Sequence, residues 1–177
     1  MNPASAEQLE RLIGRICVQF GALEFFLAAY CSNMLSDDQN CGFIVTSECS
    51  FGRLVAMYKS MVFYRTDDEA LRTRTDALAG RLMQAEQQRN TALHSLWMLS
   101  EPADLAPFVR LKVTAKQRRG LDTQWQNTSV EDLEQTVTLV LNVRQELIDF
   151  TCDELVPAGV TQMSKKGLMG PRSTTRK

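Results

Sequence analysis

Histidine is all but missing from this chain. One residue in 177, His94, carries an imidazole, which excludes H-E-x-x-H and similar metal motifs. The cysteines offer no metal site either. Cys17, Cys31, Cys41, Cys49 and Cys152 are odd in number and include no C-x-x-C pair. Neither a disulfide framework nor a zinc knuckle fits that pattern, whereas reduced, mostly buried thiols of a cytoplasmic protein do. No metal and no cofactor is expected. Long apolar runs are lacking too. The richest, Ile16 to Cys31, has 16 residues and contains Gln19 and Glu24, which reads as too short and too polar for a membrane span. The opening Met-Asn-Pro-Ala-Ser-Ala-Glu has no basic segment leading into an apolar core, so no secretory signal is expected. Net charge is nearly absent at −1, and gives no global signature of nucleic-acid binding.

What is present has the make-up of a globular protein: 44% apolar and 23% charged residues, in a length that suits one domain. The charge is unevenly spread. Lys165, Lys166, Arg172, Arg176 and Lys177 follow Pro157 with no acid among them, leaving 15 basic and 21 acidic residues in positions 1–156. The expected organisation is a helical domain over 1–156 and a basic tail over 157–177. The tail's Gly, Pro, Ser and Thr content reads as solvated and disordered, and its charge as a contact for nucleic acid.

Helical periodicity dominates. Ser5 is the expected N-cap of a first helix of roughly 30 residues, with Leu9, Leu12, Ile13, Ile16, Phe20, Leu23, Leu27, Tyr30 and Met34 at three- and four-residue spacing. Gly14 and Gly21, one heptad apart, suggest close helix approach. Glu24 borders the apolar stripe, either as a rim residue paired with an arginine or as part of a site. Residues 36–50 read as a connector. A second helix is predicted from about Ser50 to Tyr64. A third begins after Thr66, Asp67 and Asp68, with Leu71, Leu78, Leu82, Ala85, Arg89, Ala92, Leu93 and Leu96 as its buried stripe, and ends near Ser100. Period-two alternation over Phe108–Ala115 predicts a short hairpin or extended excursion. Ser129 and Asp132 form a capping box for the last helix, which ends before Pro157 and Gly159. The fold class is therefore all-α: an up-and-down helical bundle with a short β-hairpin or extended insert before the last helix.

The chemistry concentrates near the end of the third helix. Arg89, Asn90 and His94 spell R-N-x-x-x-H. Arginine brings a permanent charge and a planar fork of donors suited to phosphate. Histidine exchanges protons near neutrality, and the Asn amide orients either neighbour. On a helix, Asn90 and His94 share a face, with Glu86 a turn before and Trp97 a turn after. Arg89 lies on the adjoining apolar stripe, where a guanidinium is costly without an anion or partner. The plainer alternative pairs Arg89 with Glu86 at i, i+3, leaves Asn90 facing solvent and makes His94 an ordinary helix histidine. Trp97 is either core or a surface on which a base stacks.

The segment Arg81–Trp97, RLMQAEQQRNTALHSLW, resembles the third-helix signature of the HEPN superfamily, and Phe20-Gly-Ala-Leu-Glu24 is similar to the stretch those proteins place opposite it. The resemblance runs over residues 7–155 in helix order and length, and is specific at residues 89–94. It implies an all-α bundle and a metal-independent endoribonuclease in which Arg89, Asn90 and His94 are catalytic. Glu24, Glu86, Ser95 and Trp97 are then substrate contacts or supports. A toxin branch carries a tyrosine two residues after the histidine. Leu96 stands there in this chain, which argues against that branch's toxin–antitoxin arrangement.

RNA cleavage by the strand's own 2′-hydroxyl needs a base, an acid and positive charge at the phosphorane. One histidine does not readily fill both proton roles, so the expected assembly is a homodimer pairing two copies of the third helix. RNA is the expected substrate, an antitoxin or regulatory protein a further partner, and toxin or antiviral defence the expected setting. Two alternatives stay open: a catalytically silent HEPN-like module that binds RNA, a nucleotide or a partner protein, and an unrelated helical interaction protein.

Overall fold

A computed structural model describes residues 3–99, 107–116 and 120–162. Along the chain it has α1 (Pro3–Leu35), α2 (Gln39–Thr46), α3 (Phe51–Arg65), α4 (Glu69–Leu93), β1 (Leu96–Leu99), β2 (Phe108–Lys116), β3 (Gly120–Thr128) and α5 (Val130–Phe150). The last helix runs on into a π-helical turn, Thr151–Leu155. The fold is helical, with a small antiparallel sheet of order β1-β2-β3 between α4 and α5.

Several local signals act as the sequence predicts. Ser50 Oγ accepts from Arg53 N and starts α3. Ser129 and Asp132 exchange hydrogen bonds at 2.8 and 3.1 Å, closing a capping box at α5. Others differ. Helix α1 begins at Pro3, two residues before Ser5, and proline suits a first helical position because its missing N–H would be unpaired there anyway. Gly14 and Gly21 have no neighbour within 4 Å of an added Cβ, so close helix approach is not their role. Residues 36–50 contain α2 rather than only a connector. Asp38 caps it by accepting from Asn40 N at 2.9 Å. Gly42 lets it lie against α1, since a Cβ there would fall 2.2 Å from Ser32 Oγ.

The described residues gather into two compact units, one drawn from 1–23 and 83–143, the other from 24–82 and 144–177. The first has a core of Leu12, Ile16, Ala92, Phe108, Leu133 and Val137, with Leu9, Ile13, Trp97, Leu99, Val130 and Leu141 packed against it. Each fully buried aliphatic side chain of that core contributes about 1.5–3 kcal/mol. In the second, Leu27, Tyr30, Leu54, Tyr58, Val62, Leu78, Leu82, Leu147 and Leu155 are buried. Tyr58 Oη and Thr151 Oγ1 share a hydrogen bond of 2.8 Å. Arg65 donates to the carbonyls of Met34 and Val160. Val160 and Thr161 are buried, so the packed chain continues past residue 156. The basic residues expected to make a disordered tail lie outside the described residues.

By length and composition Ser5–Leu35 is apolar enough to cross a membrane, contrary to the expectation from the shorter run. Its apolar positions Leu12, Ile16, Phe20, Leu23, Leu27 and Tyr30 are buried within the protein, whereas Val18, Phe25 and Leu35 are exposed.

The sheet has two unlike faces. Cross-strand partners share a face, so the register Leu99↔Phe108↔Thr128 and Trp97↔Arg110↔Gln126 sets one of them. Phe108 and Leu99 of this face pack into the core of the first unit. The other carries Leu96↔Leu111↔Trp125 and Met98↔Val109↔Asn127. Leu96, Val113, Leu121 and Trp125 on it are more than half exposed.

Candidate functional site at the end of helix α4

Helix α4 ends earlier than its apolar stripe predicts. It stops at Leu93, not near Ser100. Three carbonyls of its last turn are taken up at that point. The backbone N–H of His94 donates to Asn90 O at 3.0 Å. Ser95 Oγ donates to Thr91 O at 2.7 Å, and Trp97 Nε1 to Ala92 O at 2.8 Å. These bonds satisfy groups that every helix end leaves open. The chain then turns into β1, where Trp97 pairs with Arg110. Trp97 is thus a strand residue, not the next turn of a helix face. Leu96, expected in the buried stripe, is exposed. Ser95 and Trp97 have a clear structural task as caps.

Arg89 and Asn90 are brought together. Arg89 Nη1 donates to Asn90 Oδ1 at 2.7 Å. The guanidinium carbon also lies 4.3 Å from the centre of the Phe20 ring, a cation–π contact worth about 0.5–2 kcal/mol. Among the described residues no carboxylate pairs with Arg89, so the alternative Arg89–Glu86 ion pair is not formed. An amide and a ring fix the guanidinium's direction without neutralising it. A half-buried arginine held this way keeps its charge for an anion, where a carboxylate would have cancelled it.

His94 follows the last helical residue and is exposed. Among the described residues its ring makes no hydrogen bond or ion pair, so no neighbour holds it in one orientation. Glu86 is half-buried on α4. Glu24 belongs to the second unit, is half-buried, and forms no ion pair among the described residues. Neither is placed against Arg89 by a hydrogen bond. Among the described residues no three His, Cys, Asp or Glu side chains converge on one point.

The residue that sequence reasoning undervalued is Phe20. In the stretch Phe20–Glu24 it is the aromatic end, not the carboxylate, that meets Arg89. The available signal was that Phe20 and Arg89 both fall on core-facing stripes, and an arginine on such a stripe needs a partner.

No protein-family model, no curated protein and no solved structure matches this chain. The functional reading rests on the residues themselves.

Proposed function

We propose that the protein is a metal-independent endoribonuclease of HEPN type, acting as a homodimer in the cytoplasm, with toxin or antiviral defence as its setting. The observation that carries this reading is the un-neutralised guanidinium of Arg89, held by Asn90 and Phe20 one turn from an exposed His94. In the proposed reaction a 2′-oxygen attacks the adjacent phosphorus and the bond from phosphorus to the 5′-oxygen breaks. The 2′-proton passes to a neutral imidazole, and the 5′-oxygen takes a proton from a protonated one. The products are a 2′,3′-cyclic phosphate and a free 5′-hydroxyl. Arg89 stabilises the phosphorane charge, a task for a permanently charged fork.

Each chain brings one histidine, so acid and base come from two copies. The outer face of the sheet supports such pairing. It begins at Leu96, two residues after His94, and continues through Met98, Leu111, Val113 and Trp125 with no charged residue at these positions. An uncharged apolar face of this kind is self-complementary and suits a two-fold contact. The five cysteines are unpaired, in keeping with a reducing compartment.

One observation favours the second reading, a silent module that binds RNA, nucleotide or a protein partner. Among the described residues no third group orients His94, as a residue would in a fully built acid–base pair. Incubation of the purified protein with single-stranded RNA and with the same sequence as DNA, in EDTA, separates the two. Cleavage of RNA alone supports the enzyme. Retention of RNA without cleavage leaves the module. Cleavage of both, or cleavage only after magnesium is restored, overturns the 2′-hydroxyl mechanism.

A further inference from the structure

The first unit contains a pocket of about 420 Å³ that the R-N-x-x-x-H motif does not use. At about 100° per residue, its α4 residues Gln84, Gln88 and Thr91 lie about 100–160° round the helix from Asn90. The sheet contributes Trp97, Arg110, Gln126 and Thr128, and α5 contributes Asp132 and Leu133. The volume is within the range of small-molecule sites, about 300–1,000 Å³.

Three features define what fits there. The charge is balanced, because among the described residues Arg110 is the one cation and Asp132 the one anion of the lining. Both have protein partners: Arg110 donates to Gln126 Oε1, and Asp132 accepts from Ser129 N. A neutral ring therefore suits the interior better than a charged group, and the phosphate of a nucleotide would lie outside the pocket. Second, Gln84, Gln88 and Gln126 each pair a donor with an acceptor, the combination that reads the edge of a heterocycle. Trp97 adds aromatic surface, fixed in place by its bond to Ala92 O. Third, Thr128 is 6% exposed and its Oγ1 has no hydrogen-bond partner among the described residues. A buried hydroxyl without a partner is uncommon enough in folded proteins to need an explanation, and a missing ligand is one.

We propose that this pocket binds a nucleobase, with Trp97 and the glutamine amides as its recognition groups and Thr128 Oγ1 supplying a hydrogen bond. The base belongs to a free nucleotide or to an unpaired position of an RNA strand. The proposal goes beyond the cleavage reading and does not depend on it, because binding here involves neither Arg89 nor His94.

The test uses the full chain carrying Trp125→Phe, which leaves Trp97 as the single tryptophan. Its fluorescence is followed in EDTA during titration with AMP, GMP, CMP and UMP, and with a short oligoribonucleotide. A saturable change with at least one mononucleotide assigns the pocket to free nucleotides. Saturation with the oligonucleotide alone assigns it to a strand. No saturable change with any of them overturns the proposal. Thr128→Val and Gln88→Ala should each weaken binding about three- to tenfold, the effect of losing one neutral hydrogen bond. Thr128→Val should meanwhile melt no lower than the parent, since it removes an unpartnered hydroxyl. Wild-type affinity in both variants would show that the ligand sits elsewhere and would also overturn the proposal. Failure of binding leaves the cleavage reading intact, and failure of cleavage leaves this one intact.

Discussion

Three arginines of the second unit meet carboxylates, whereas two of the first are held by amide oxygens. In the second unit Arg72 pairs with Asp67 and Glu69, Arg74 with Glu154 and Arg81 with Glu146. Arg65 is bound by two backbone carbonyls. In the first unit Arg89 and Arg110 end on the amide oxygens of Asn90 and Gln126. The buried hydroxyls do not divide between the units. Tyr58 and Thr151 satisfy one another, Thr75 donates to Leu71 O, and Thr46 donates to Gly42 O. Thr128 of the first unit is unpartnered among the described residues, as is Thr161 of the second. A cation neutralised by an acid contributes to the fold and has little left for a ligand. A cation held by a dipole is oriented and still charged. Under the proposed reading the function belongs to the first unit, where Arg89 is oriented by Asn90 and Phe20 and has no neutralising partner among the described residues.

The largest effects should come from breaking the uncompensated side. His94→Ala should slow RNA cleavage about 10²–10⁴-fold, the usual contribution of positioned acid–base catalysis. Arg89→Ala should cost on the order of 10²–10³. The double variant should fall well short of the product, because both groups serve one transition state. Arg81→Ala provides the contrast. Its ion pair is partly exposed, so it should cost only about 0–1 kcal/mol of stability and leave cleavage as it was. Parallel rate and melting measurements on the four proteins check this. An Arg81 variant as slow as the Arg89 variant would break the comparison.

Trp97→Ala should destabilise by about 3 kcal/mol, the lower end for a tryptophan because this one is only partly buried. The change removes both a core contact and the cap on Ala92 O. Urea denaturation measures it.

How far the sequence was readable can be judged from such residues. Helices α1, α3 and α5 were legible because their apolar spacing and caps are local properties of the chain. The end of α4 was not. Leu93, Leu96 and Trp97 continue a helical spacing, but the Trp97 indole caps the helix instead of extending it, and pairing with Arg110 draws the segment into the sheet. Both are tertiary facts. Helix α2 was missed for the same reason, since its place depends on Gly42 meeting Ser32. At the candidate site the adjacent Arg89 and Asn90 were legible together, and the Phe20 ring was not, because 69 positions separate it from Arg89.

A smaller loss, about 1–3 kcal/mol, is expected for Tyr58→Phe, which strands the buried Thr151 hydroxyl. It should leave RNA cleavage unaltered, and the urea midpoint together with the cleavage rate would show both. At neutral pH the smallest effect of all belongs to the groups kept neutral by burial in the second unit. Burial pushes the Cys31 thiol up to about 12 and raises the Tyr30 and Tyr58 phenols well above their ordinary value. A pKa raised by folding means that the stabilisation is complete below the unfolded value and is lost as pH climbs towards the folded one. With unfolded values of about 8.5 for a thiol and 10 for a phenol, the urea midpoint should hold from about pH 7 to 8 and fall steadily above about pH 9. A flat profile to about pH 11 would contradict the assigned burial.

The central claim is that Arg89 and His94 act together on a phosphodiester. Its most direct test compares wild-type and His94→Ala proteins on one RNA in EDTA, with the ends of the fragments identified by mass spectrometry. The account predicts 2′,3′-cyclic phosphate and 5′-hydroxyl ends from the wild type, and at least about a hundredfold slower release from the variant at an unchanged melting temperature. Equal rates from the two proteins, or fragments ending in 5′-phosphate, would contradict it.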